Sequence, residues 1–275
     1  MPALVDVVFV VVLVVLASIF EYVYFWPRFR ADVAAGKPSA RVSAYRRGVV
    51  GEWVFTIAAI AIWTTFARPW SAMRFVLPHG WRLGVGVVFV LAAVGLVVLQ
   101  LWSVARLPAE RRIRARPKLG NVGFMLPHTA QEQRWFLTLS MTAGFCEELL
   151  YRGYLPWFFA PWLGSVGAMA LVVILFGIGH AYQGRAGTVR ATLAGAFLAA
   201  LVLVTGSLIP AMIVHALIDI GSGTLGYWLL REYPNALAPT VSAAPEAPER
   251  EASETTDTSL KPLTTSLYGN SSARQ

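Results

Sequence analysis

Six ionisable side chains stand where the chain is otherwise too apolar to hold them: Glu147, Glu148, Arg152, His180, His215 and Asp219. Placing one such group at the centre of a membrane helix costs about 2.5–3.5 kcal/mol on insertion scales, so each invites a functional reading. In Cys146-Glu147-Glu148-Leu149-Leu150-Tyr151-Arg152, Glu148 and Arg152 are four residues apart, share a helix face and can form a structural ion pair. Glu147 is turned by about 100° from Glu148 on a helix, so that pair leaves it over. Phe176 and His180 share a face of the next apolar run, and Gly177 and Gly179 between them permit a neighbouring helix to come close. His215 and Asp219 are again one turn apart, downstream of the turn formers Thr205-Gly206-Ser207-Leu208 and of Pro210. A single interfacial histidine, or a single His/Asp couple, has an ordinary structural explanation. The whole set, gathered in three consecutive hairpinned spans, is equipment for moving protons: activating a water, holding a metal ion, or relaying protons across a membrane.

The elements that must position these residues are helices in a bilayer. The chain has 275 residues, 56% hydrophobic and only 14% charged, against about 25% charged in a soluble domain. Apolar runs at 4–26, 49–67, 83–103, 135–157, 163–183, 190–205 and 208–230 approach the roughly 20 residues a crossing helix needs. They predict an all-α, polytopic transmembrane helical bundle of about seven to eight spans, an eighth being re-entrant. The first run is read as an uncleaved anchor, and the turn after the short sixth run as lying within the membrane, where protein must cover its backbone. The connections 27–48 and 103–134 hold six and seven Lys and Arg, whereas the connection after the second run carries only Arg68, Arg74 and Arg82. Basic residues are retained in the cytoplasm, so the amino terminus is expected outside and the carboxyl terminus inside, in an integral protein of a bacterial inner (plasma) membrane. The dense run Arg111, Arg112, Arg114 and Arg116 directly follows a span and has no interleaved aromatics. That pattern suits a lipid bilayer with anionic headgroups and argues against a nucleic acid.

From residue 232 the composition turns to Pro, Ala, Ser and Thr with six acidic and three basic residues, the signature of a disordered tail. The expected organisation is therefore 1–131, amino-terminal helices and basic loops; 132–231, a catalytic transmembrane core; and 232–275, the tail. Glu21 and Glu52 are read as interfacial carboxylates facing the arginines of the first basic connection, Asp6 as a residue at the outer edge within reach of water, and His79 and His128 as members of polar connections. A single cysteine, Cys146, excludes an internal disulfide and any multi-cysteine metal site.

The motifs EExxxR (Glu147, Glu148, Arg152), FxxxH (Phe176, His180) and HxxxD (His215, Asp219), in that order, resemble those of the CPBP intramembrane proteases, which include the CAAX prenyl endopeptidase and Abi-type relatives. The turn Thr205-Gly206-Ser207-Leu208 is similar to theirs as well. The resemblance covers about residues 132–231 and implies a membrane-embedded peptidase acting on a peptide or protein substrate at the membrane. Aspartate at the third motif stands where asparagine is more frequent; a carboxylate donates a hydrogen bond only when protonated.

Peptide hydrolysis needs an activated nucleophile and a stabilised oxyanion. No serine-elbow motif and no Ser/Lys dyad is present, and Cys146 has no activator near it in sequence, so a water nucleophile is preferred to a covalent one. Glu147 with His180 can serve as general base, and His215 can face the oxyanion with Asp219 orienting it, while Glu148, Arg152 and Phe176 support the site; the resemblance implies the same division of labour. No cofactor is required by that scheme. The alternative uses zinc on Glu147, His180 and His215, without an HExxH helix. The rival functions are a proton-coupled transporter, for which no repeated half is found, and a non-catalytic membrane scaffold. On straight spans Glu147 and His215 lie about 18–20 Å from the cytoplasmic edge and His180 much nearer it, a mismatch that the fold must resolve.

Overall fold

Apolar side chains without breakers over twenty or more residues leave the backbone nothing to bond but itself, and the helices run long as a result. A computed structural model describes residues 2–231; the tail expected at 232–275 lies outside the described residues. The helices are α1 (Leu4–Ala34), α2 (Ala40–Thr65), α3 (Trp81–Ala105), the short α4 (Ala109–Ala115), α5 (Ala130–Gly179), α6 (Gly184–Thr205) and α7 (Ile209–Leu230). Among the described residues there is no strand, and six helices are long and apolar enough to cross a membrane.

The longest of them crosses twice. At 1.5 Å per residue, the 50 residues of α5 would span about 75 Å against a hydrocarbon core of about 30 Å. The helix breaks at Gly164, whose φ of 66° and ψ of 170° lie outside the helical region and are open to a residue without a Cβ. Beyond the break the chain folds back: the Arg152 guanidinium carbon is 4.1 Å from the Phe176 ring centroid, and the Tyr151 and Phe176 rings are 5.3 Å apart. The two limbs, 130–163 and 165–179, are antiparallel neighbours, and the bundle has seven crossing segments among the described residues.

The start of α5, and so the register of its carboxylates, is set by a capping box. The Thr129 hydroxyl accepts from the Glu132 amide at 3.2 Å, while the Glu132 carboxylate accepts from the amides of Thr129 and His128 at 3.0 and 2.7 Å. Along its first limb α5 packs parallel to α2 in an unvarying register. Tyr45 meets Phe136, a Cβ on Gly48 would touch Leu139, Trp53 stacks on Phe145, and Trp63 meets Tyr154. On its other side α5 crosses α7 at Gly144, where a Cβ would stand 2.7 Å from the Ala216 Cβ and 2.8 Å from the Met212 carbonyl oxygen. Only a glycine lets the backbones approach that closely.

The connections sort onto two ends of the bundle. At one end Arg41 donates to the Phe124 carbonyl at 2.9 Å, Tyr45 to the Met125 carbonyl at 2.6 Å, Arg116 to the Leu229 carbonyl at 2.8 Å, and Arg30 to the Tyr182 carbonyl. These bonds tie together the basic connections around 35–39, 106–129 and 180–183 with the end of α7. At the other end Asp6 is fully buried: Arg68 donates to both its oxygens at 2.7 Å and the Tyr154 hydroxyl donates at 2.5 Å. The expectation of a water-exposed Asp6 is thereby corrected, because a buried carboxylate needs these partners to stay charged. The hydrogen bonds to Asp6 also hold the Arg68 guanidinium above its ordinary pKa. His128, in the connection before α5 as expected, is buried there.

The turn between α6 and α7 is sunk into the protein, as expected for a turn within the membrane. Ser207 and Leu208 have no exposed surface, and Leu208 packs at Gly153 together with Met73 from the 66–80 connection. The Leu208 amide donates to the Arg74 carbonyl at 2.9 Å, and the Ser207 hydroxyl to the Val76 carbonyl at 2.5 Å. The freed backbone is thus satisfied by the dipping connection instead of by water.

The grouping of connections generates a topology prediction. Reporter fusions after Arg47 and after Arg116 should give the same, cytoplasmic signal, and a fusion within 76–80 the opposite one. Opposite signals at Arg47 and Arg116 would show the span assignment to be wrong.

Candidate active site

The site is built on two helices that Gly144 allows to touch. Glu148 on α5 has no exposed surface, and its Oε1 is 2.8 Å from Nδ1 of His215 on α7 and 3.0 Å from Nη1 of Arg152 one turn away. A carboxylate only accepts hydrogen bonds, so the Nδ1–H of His215 is the donor. Arg152, 2% exposed, makes its contact as an ion pair and lays its guanidinium on the Phe176 ring. Glu148 therefore has the ion pair expected from the sequence and, in addition, the role of orienting His215. The orientation assigned to Asp219 is corrected accordingly: its Oδ2 lies 3.7 Å from Nε2, on the other side of the ring from Nδ1.

Nε2 of His215 faces the remaining acids. Glu147 Oε2 is 3.8 Å away, enclosed by protein and without a hydrogen-bond partner. Separations of 3.7 and 3.8 Å are too long for direct hydrogen bonds and are of the length that a bridging water serves. The Glu147 side chain keeps 21% of its surface exposed and Asp219 37%, against none for Glu148. Glu147 and Asp219 thus line an accessible edge of the site while Glu148 lies behind it.

His180 caps the short second limb of α5. Its Nδ1 is 2.8 Å from the Phe176 carbonyl oxygen, which can only accept, so Nδ1 carries the proton and Nε2 presents a lone pair. The Phe176 ring stands between the two histidines, with centroids 4.5 Å from His180 and 6.3 Å from His215. Because Tyr151 meets Phe176 across antiparallel limbs, one further turn along each brings His180 level with Glu147. The depth mismatch drawn on straight spans is resolved in this way. The limb 165–179, about 22 Å long at 1.5 Å per residue, ends at Gly179 instead of running past residue 183. The following turn is covered by α1, whose Trp26 ring stacks on Tyr182 at 3.5 Å and 8°. No direct bond joins His180 to Glu147 or His215 among the described residues.

One acid that the sequence reading placed at the interface, Glu52, is enclosed by protein instead. Glu52 lies at the middle of α2, not at its end, because α2 begins at Ala40. Its Oε2 is enclosed without a hydrogen-bond partner, and the charges acting on it are those of Glu147, Asp219 and Glu21. Neither Glu21 nor Glu52 forms an ion pair with an arginine among the described residues. The available signal was the extent of the second helix: Ala40–Arg47 continues it through the basic connection, which hydropathy alone reads as a loop.

Among the described residues no three His, Cys, Asp or Glu side chains are arranged to hold a metal ion. Of Glu147, His180 and His215, the set a zinc ion would use, Glu147 and His215 stand 3.8 Å apart.

The pairing of Glu148 yields a prediction on stability. Arg152→Ala should lower unfolding stability by about 3–5 kcal/mol, because it strands a fully buried carboxylate. The loss should appear in thermal melts of detergent-solubilised protein and exceed that of Glu147→Gln. An Arg152→Ala protein melting like the parent would mean that Glu148 is not held as an ion pair.

Residues 130–221, the segment bearing Glu147, Glu148, Arg152, Phe176, His180, His215 and Asp219, match the family model for type II CAAX prenyl endopeptidase Rce1-like. No curated protein and no solved structure matches the chain. Three motifs on neighbouring helices, converging on one buried carboxylate–imidazole pair, accord with that match, and over this segment, a third of its length, the chain is similar to the type II CAAX prenyl endopeptidases.

Proposed function

We propose that the chain is an endopeptidase that hydrolyses a peptide bond within the membrane, with a water activated by Glu147 and His180 and an oxyanion met by His215. The family supports an intramembrane protease of CAAX type at its own level; the assignment of roles is read from the residues. The observation that carries it is the clamp on His215. Glu148 accepts from Nδ1 and so favours the imidazolium, whose Nε2–H then points to the edge where Glu147 and Asp219 stand. A fixed donor in a dry site stabilises developing negative charge without reorganising.

Glu147 is the general base in this scheme. It takes one proton of the water while the oxygen adds to the scissile carbonyl carbon, with the His180 Nε2 lone pair polarising the same water. The tetrahedral oxyanion receives the hydrogen bond from His215. Glu147 then returns the proton to the amine nitrogen as the C–N bond breaks, so the enzyme ends in its starting state. Asp219, beside Nε2, adds to the stabilisation of the imidazolium.

The test uses purified full-length protein in detergent and a quenched fluorescent peptide ending in a farnesylated CAAX sequence, with the unprenylated peptide beside it. Glu147→Gln should reduce kcat by about 10²–10⁴-fold, and His215→Ala by at least about 10²-fold, with the Glu147→Gln melting temperature unchanged. Cleavage by Glu147→Gln at the parent rate would overturn the reading. Preference for the prenylated peptide would place the substrate within the CAAX class.

Metal removal supplies a separate measurement. Protein stripped by a strong chelator, with zinc below stoichiometry by elemental analysis, should keep its activity. Activity lost with the metal and restored by Zn²⁺ in proportion to occupancy would instead make the histidines ligands.

A further inference from the structure

At the end of the bundle opposite the basic connections, an apolar groove of about 200 Å³ runs between α3 and α7. The two helices close up at Gly86, where a Cβ would stand 2.8 Å from the Pro210 Cγ. On the open side Leu83, Val87, Leu91 and Ile213 keep much of their surface exposed, and every residue lining the groove is apolar. Leu77 and Pro78, at one end of it, also line a second cavity, which continues the groove to His79, Trp81, Arg82 and Gly206. The Arg82 guanidinium lies over Gly206, where an added Cβ would meet its Nη1 at 2.9 Å.

Depth and charge together define what fits there. The 25 residues of α3 span about 37 Å at 1.5 Å per residue, against a hydrocarbon core of about 30 Å. The first turn of α3 therefore reaches headgroup level, where Trp81 is at home, and Leu83 to Leu91 follow the groove about 12 Å inward. The 66–80 connection, α3 and the turn before α7 contain no Asp or Glu. Arg68 is held by Asp6 and Arg74 lines neither cavity. Arg82 forms no ion pair among the described residues and lies 5.7 Å from the Trp81 ring. A cation at headgroup depth, above an alkane-lined groove, complements an anionic head on an acyl chain. With no acid beside it, the site offers nothing to the ammonium of a zwitterionic head.

We propose that this groove binds an anionic phospholipid of the leaflet at that end, with one acyl chain along α3 and α7 and the phosphate on Arg82. The lipid braces α3 against the 66–80 connection, which in turn packs Met73 on Gly153 and bonds the Arg74 carbonyl to the Leu208 amide. Its binding does not depend on the catalytic roles proposed above.

The test titrates phosphatidylglycerol into the full-length protein in detergent, with phosphatidylcholine of the same chains and glycerol phosphate beside it. Native mass spectrometry counts the bound lipid, and thermal melts record the stabilisation that binding to the folded state confers. One phosphatidylglycerol should bind in preference to phosphatidylcholine and raise the melting temperature; glycerol phosphate should do neither. Arg82→Gln should weaken phosphatidylglycerol binding by about fivefold, the effect of one cation at a membrane surface, and leave phosphatidylcholine unaffected. Val87→Trp and Leu91→Trp, each filling the groove from an exposed position, should weaken both lipids. Arg106→Gln, at the other end of α3, should match the parent. Equal binding of the two lipids, or no effect of Arg82→Gln, would mean unspecific annular lipid only and overturn the proposal. Binding of glycerol phosphate would refute a role for the groove, and displacement of the phospholipid by the farnesylated peptide would assign the groove to a substrate chain instead.

Discussion

A carboxylate with no exposed surface governs this molecule. Glu148 sits in an apolar helix where ionisation would be prohibitive without compensation, and it is compensated from two directions, by Arg152 one turn along and by His215 on another helix. The second partner is what forces α5 and α7 together. That contact in turn requires Gly144, since any Cβ would strike the backbone of α7. Orientation of the imidazole, closeness of the helices and burial of the arginine are therefore one constraint expressed at three scales.

A second constraint is the absence of water to satisfy backbone groups at depth. The bundle nonetheless contains irregular backbone there: the 66–80 connection and the turn before α7 meet at the level of Gly153, just beyond the ion pair. They bond to one another, amide to carbonyl and hydroxyl to carbonyl, which is the condition under which such segments are tolerated. The same economy holds at the other limit of the site. The second limb of α5 ends at Gly179, so the half-buried His180 stands at a helix terminus, its Nδ1 proton placed by the Phe176 carbonyl.

The acids show how the two limits combine. Glu148 is enclosed and paired, while Glu147, turned around the helix by one residue, keeps part of its surface open and one oxygen unpartnered. Adjacent residues of the same type thus acquire different states from their environment alone, one fixed by an arginine and the other left with an oxygen unpartnered. Asp219 at the open edge extends the acidic surroundings of Nε2 of His215.

Much of this could be read from residue types and spacing. Helical periodicity sufficed to pair Glu148 with Arg152 and to leave Glu147 over, hydropathy sufficed for seven crossings, and the arginine-rich connections sufficed to group the loops at one end. These are local quantities, fixed by rise per residue and by the cost of charge in hydrocarbon. What spacing could not convey was which helices touch. That Glu148 and not Asp219 holds Nδ1 of His215 depends on the crossing at Gly144. That Asp6 is buried depends on an arginine far along the chain and a tyrosine farther still. That Glu52 lies at mid-helix, enclosed by protein, instead of at an interface beside arginines depends on α2 starting at Ala40. Partners across helices are decided by packing, because a helix sequence specifies its own faces but carries no local term for the neighbour each face will meet.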